Sequence, residues 1–199
     1  PKDPQRTVMG AFNFPAVAPT LGSESWHLLQ SYYSTLSNSK GDKVRQSLAS
    51  SLHEIAKIIG PKQADDSLLE PFSWYIRDLD HIQGAVLENI STLLRALTPE
   101  GAKEALTMLR TEWDGIKTWR RREAVAKELG GLGQYLIGIG AVEEMLRTLA
   151  RGFKDKVASV REAAVEAVRP LSSVPRTSLM IRPTAARHLR SDRSVPQRA

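Results

Sequence analysis

The sequence predicts an all-α solenoid, a stack of helix pairs with a disordered C-terminal tail. Three observations carry the prediction. A motif recurs about every 39 residues, each recurrence has the apolar spacing of one helix face, and most of the net charge lies outside the repeated part. The aligned segments are VRQSLASSL from Val44, IQGAVLENI from Ile82, RREAVAKEL from Arg121 and VREAAVEAV from Val160, at spacings of 38, 39 and 39. Their second place holds Arg45, Gln83, Arg122 and Arg161. A small residue follows two places later at Ser47, Ala85, Ala124 and Ala163, and an apolar one seven places later at Leu52, Ile90, Leu129 and Val168. One more step back from Arg45 reaches Arg6. Repetition at such a period marks stacked supersecondary units rather than one closed core.

The elements follow in order. Asp3–Phe14 reads as the second helix of a partial repeat, with a link to residue 22. Ser23–Leu36 opens the first complete pair. Its partner places Val44, Leu48, Leu52, Ile55 and Ile59 on one face, with Asp42 as cap and Gly60-Pro61 as stop. Ala64–Leu79 precedes a helix with Ile82, Val86, Ile90, Leu93, Leu94 and Leu97. Thr98 and Pro99 supply an N-cap and a first helical residue for Pro99–Glu112. Ala141–Phe153 begins the last pair. Complete repeats thus cover 23–60, 61–97, 98–138 and 139–169, after a partial repeat over 3–22, and 170–199 forms the tail. Neither end supplies the polar capping repeat that a solenoid needs, so the sequence reads as a fragment of a longer array.

The 199 residues carry a net charge of +6, which taken alone points to an acidic partner. Residues 170–199 hold six arginines and a single acid, Asp192, with four prolines and five serines. That composition cannot bury enough surface to offset the entropy of ordering it. The remaining 169 residues are nearly neutral. No cysteine is present, which excludes disulfides, zinc ribbons and thiol nucleophiles. No apolar run reaches membrane-spanning length, and the N-terminal residues lack a signal-peptide pattern. The expected location is the cytoplasm, the nucleus or both.

Chemical motifs are few. His53-Glu54 begins a zinc-protease pattern that fails at Lys57, and the remaining histidines form no ligand set. Gly138-Ile139-Gly140 follows a helix, not a strand, and Glu143 stands where a dinucleotide site needs glycine. The glycines instead mark a helix end. Trp26, Trp74 and Trp113 read as packing residues. Trp119 and the arginine run Arg120-Arg121-Arg122 fit a protein-docking turn better than a nucleic-acid site, since Arg122 is the repeat's regular arginine. No enzyme activity, cofactor, metal or small-molecule ligand is expected.

The unit is similar to the HEAT repeat, and FKDKVASVREAAVEAV (Phe153–Val168) resembles its consensus. In such arrays an Asp in the turn between the paired helices and an Arg of successive repeats build a ladder of charge-assisted bonds. Asp155 and Arg161 have the full spacing here; Arg45 and Arg122 are the other ladder arginines, Asp42 lies too close to Arg45, and Gln83 breaks the series. FNFPAVAPTLGSESW (Phe12–Trp26), VRQSLASSLHEIAKIIGP (Val44–Pro61) and TWRRREAVAKELGGL (Thr118–Leu132) together resemble the regulatory subunit 1 family of serine/threonine protein phosphatase 4, related to the scaffold subunit of protein phosphatase 2A. That resemblance implies a non-catalytic scaffold binding a serine/threonine phosphatase catalytic subunit and directing its choice of substrates. It further implies partner contacts at Asp42, Lys43, Asp80, His81, Trp119, Arg120 and Lys156, on the turns. Arg121 departs from the family, which usually has an apolar residue there. The rival readings are another HEAT adaptor, such as a transport receptor or assembly scaffold, and a HEAT-like nucleic-acid-binding or DNA-repair protein. The near-neutral body argues against the last.

Overall fold

The computed structural model describes residues 4–173, and all regular structure among them is helical. Helix α1 (Pro4–Leu21) precedes α2 (Trp26–Ser37) and α3 (Asp42–Ile59). Next come α4 (Pro61–Tyr75), then α5 (Asp80–Leu87) and α6 (Ile90–Ala96) as two halves of one rod. Helix α7 (Pro99–Thr111) is followed by the similarly divided α8 (Trp119–Gly131) and α9 (Gly133–Gly138). Helices α10 (Val142–Gly152) and α11 (Ala158–Val168) complete the stack. The contacts sort these into two layers. One, labelled outer, runs α2, α4, α7, α10; the other, labelled inner, runs α1, α3, α5–α6, α8, α11. This is the α-solenoid that the repeat frame predicts.

The apolar stripes explain the layers. Val44, Leu48, Leu52, Ile55 and Ile59 are all buried, as are Leu68 and Phe72 of α4, and α3 packs on α1, α4, α5 and α6. Each such side chain contributes about 2 kcal/mol by leaving water. Thr98 caps α7, its hydroxyl accepting from Gly101 N at 3.1 Å, and also donates to the Asp65 carboxylate of α4. That contact locks successive repeats in the outer layer.

Four details differ from the sequence reading. Helix α1 does not stop at Phe14; it passes through Pro15 and Pro19 to Leu21. Each interior proline costs about 3 kcal/mol of helix propensity. Burial of Ala11, Phe14 and Ala18 along the same face, against α3, offsets that cost. The N-cap of α3 is Gly41, while Asp42 is the first helical residue and accepts from Lys43 N at 2.8 Å. The helix read continuously from Ile82 to Leu97 is divided at Glu88 and Asn89, the latter at φ −119°, ψ 24°. Finally, helical structure extends past 169 as a 3₁₀ segment, Arg169–Ser173, whose Leu171 is buried against α9. The remainder of the expected disordered tail lies outside the described residues.

Candidate functional site

The turns joining each outer helix to its inner partner fall at residues 38–41, 76–79, 112–118 and 153–157. They stand side by side because charged bonds link each to the next. Arg45 of α3 reaches across to Asp78, with Nε to Oδ2 at 2.6 Å and Nη2 to Oδ1 at 2.9 Å. Its Nη1 donates back to Ser39 O at 2.7 Å. Arg122 repeats this geometry two repeats on. It forks onto Asp155 at 2.6 and 3.0 Å and donates to Ile116 O at 2.5 Å. Two parallel bonds of this kind fix both distance and orientation.

Electrostatics agree with the geometry. The Arg122 fork holds the Asp155 carboxyl below its ordinary range, opposed by partial burial. At Asp78, burial works upward, but the Arg45 bond and the Leu79 backbone N–H bring the net shift downward. Between these two rungs the pattern is neutral. Gln83 is buried and donates to Ile76 O at 2.7 Å, with a long contact to Gly115 O at 3.5 Å. Ile116 occupies the place that Asp78 and Asp155 hold in their repeats, 38 residues after the first and 39 before the second. Arg and Asp are therefore replaced together.

A second set of links was not visible from the motif spacing. Asp80 accepts from Arg121 Nη1 at 2.7 Å and from Thr118 Oγ1 at 3.1 Å, and these bonds lower its pKa, with Arg121 the main cause. Arg77 donates to Glu112 at 2.8 Å, and Arg151 pairs with Asp114. Arg121 lies over Gly84, where a Cβ would meet its guanidinium. Glycine in the middle of α5 is thus the seat for an arginine 37 residues later. That pairing is the signal that sequence inspection could have used.

The seven residues implied as partner contacts all lie on or beside these turns, but they are not alike. Asp42 is half-exposed and sits 3.6 Å from His81 Nε2. Asp80 is occupied by Arg121. Lys43, Arg120 and Lys156 are exposed. Trp119 is the first residue of α8, packs partly on the core, and carries the Arg120 guanidinium 4.5 Å above its ring. The ladder reading changes at two positions. Asp155 gives its carboxylate to Arg122 of the preceding repeat, whereas Arg161 donates to the carbonyl oxygens of Asp155 at 2.7 Å and Lys156 at 3.0 Å. Arg45 pairs with Asp78, not with Asp42.

Other candidate chemistry is sparse. His53 Nε2 approaches Glu54 Oε1 at 2.9 Å, and burial pushes the His53 pKa down. Among the described residues no three or more His, Asp or Glu side chains group as a metal site, and no helix is long and apolar enough to cross a membrane.

Comparison with known proteins gives a consistent picture. The family described as protein phosphatase 4 regulatory subunit 1 middle domain matches residues 10–112. A HEAT repeat family associated with sister chromatid cohesion matches residues 127–168. Serine/threonine-protein phosphatase 4 regulatory subunit 1 from Homo sapiens and its counterpart from Mus musculus are each 35% identical to the chain over 154 residues. The match covers 76% of the chain and 16% of each relative's own length.

Proposed function

Because the chain belongs to the protein phosphatase 4 regulatory subunit 1 middle-domain family, we propose that it is a non-catalytic scaffold that binds a serine/threonine phosphatase catalytic subunit and helps direct its choice of substrates. The observation that carries this reading is the continuous row of turns, linked from Arg45 to Asp78, from Asp80 to Arg121 and from Arg122 to Asp155. A solenoid offers partners long surfaces of this type. Rigid spacing of the turns lets exposed side chains on several repeats meet one partner together, so little ordering entropy is lost on binding. Trp119 and Arg120, stacked on each other, form the best-organised anchor on the row. The cytoplasm or nucleus is the compartment proposed for this role.

The test is retention of recombinant phosphatase 4 catalytic subunit on the immobilised chain. Binding is expected, and Trp119→Ala combined with Arg120→Glu weakens it about tenfold. A folded chain that retains no catalytic subunit overturns the assignment.

A further inference from the structure

The links between turns engage most acids of the ridge and leave its cations over; Asp42 stays exposed, 3.6 Å from His81 Nε2. Asp78, Asp80, Glu112, Asp114 and Asp155 each face an arginine of a neighbouring repeat. By contrast Lys40, Lys43, Lys117, Arg120, Lys154 and Lys156 are exposed, and none is ion-paired with a described carboxylate. The leftover cations keep the repeat frame. Lys43 and Arg120 stand at equivalent places with His81 between them, at spacings of 38 and 39, and Lys117 and Lys156 are 39 apart. Helices α3, α5, α8 and α11 also begin on this side, so their partial positive charges add to the same field. Two apolar side chains interrupt the cations: Leu79 is 51% exposed and Phe153 39%.

We propose that this ridge receives an extended acidic segment of a partner protein, with carboxylates on Lys43, Lys117, Arg120 and Lys156 and apolar side chains on Leu79 and Phe153. The proposal rests on the ridge being the docking side of the scaffold and adds the chemistry of what docks there. Four turns about 10 Å apart span about 30 Å, which an extended chain covers in about nine residues. Charge complementarity alone would also suit a polynucleotide. The aromatic geometry favours a peptide, because Arg120 covers the Trp119 ring and leaves it closed to a stacking base. Leu79 and Phe153 likewise offer nothing to a phosphate backbone.

A fluorescein-labelled ten-residue peptide of interleaved Glu and Leu, titrated against the complete chain by anisotropy, provides the test. Binding is expected, weakening as salt rises. Lys43→Glu with Arg120→Glu should weaken it about tenfold, and Lys117→Glu with Lys156→Glu similarly. Arg187→Glu with Arg190→Glu, in the basic C-terminal segment, should leave it unchanged. Circular dichroism checks that each variant keeps its helices. Absence of binding, or equal loss on reversing the C-terminal arginines, overturns the proposal; so does a ten-nucleotide oligo-dT that binds more tightly than the peptide. Failure here leaves catalytic-subunit retention as a separate measurement, and failure of retention leaves the peptide titration standing.

Discussion

The two ends of the stack join their helices by different physics. At the N-terminal end, α1 meets α2 through rings: Phe14 lies 5.1 Å from Tyr33 and 6.2 Å from Trp26, and Trp26 lies 5.6 Å from Tyr33. At the C-terminal end, α8 and α11 approach backbone to backbone. A Cβ at Gly130 would stand 2.7 Å from Ala167 Cα, and Arg122 clips the far end to Asp155. The first junction gains from area and shape, the second from close approach and one oriented ion pair. A repeat frame fixes only where helices meet. What fills each meeting place is a local solution.

The largest expected effect removes the aromatic solution. Phe14→Ala should cost about 4 kcal/mol, by lost burial plus the cavity left behind. Because a solenoid is held by nearest-neighbour interfaces, the loss should appear as early detachment of α1 in denaturant, followed by Trp26 fluorescence, while α8 and α11 unfold at their former midpoint. Simultaneous unfolding of both ends would break the comparison.

A middle-sized effect tests the neutral rung. Gln83→Arg restores the frame's arginine but sets a cation beside Ile116 with no carboxylate to receive it. We expect a loss of about 2 kcal/mol. Ile116→Asp in the same chain supplies the partner, so the double variant should recover part of that loss, read by a double-mutant cycle in urea. Additive losses would show that position 116 cannot face position 83.

The smallest effect concerns pH. Asp78 and Asp155 have lowered folded-state pKa values, so their contribution to stability is complete above about pH 4 and is lost as pH falls through the lowered values. Asn at both positions should flatten the acid limb of the stability curve. It should leave the aromatic junction untouched, since no carboxylate takes part in the ring contacts.

These contrasts also show what sequence patterns can carry. The stripe from Val44 to Ile59 was legible because burial on one helix face imposes a local period, and the same holds for Thr98 and Pro99 at the start of α7. Asp78 was not, because its partner lies 33 residues earlier and the pair leaves no trace within either helix. Arg121 and Gly84 escape for the same reason. The helix end read at Phe14 erred in the opposite direction, since Pro15 and Pro19 lie inside α1. They are strong local punctuation, yet a buried face on Ala11, Phe14 and Ala18 outweighed them. Of the turn residues, position alone was readable. Which of them are occupied by neighbours, such as Asp80, and which stay open, such as Lys43, depends on cross-repeat contacts.

The neutral rung at Gln83 has a mechanical consequence. Considered as a spring, the inner layer has two joints clamped by forked ion pairs and one between them held by unforked bonds, from Gln83 to Gly115 O at 3.5 Å and from Arg121 and Thr118 to the exposed Asp80. Bending strain concentrates in the most compliant joint, and both rods that meet there, α5–α6 and α8–α9, are already divided along their length. A body pressing along the ridge would therefore flex the array at its centre, while the repeats on either side move as stiff arms.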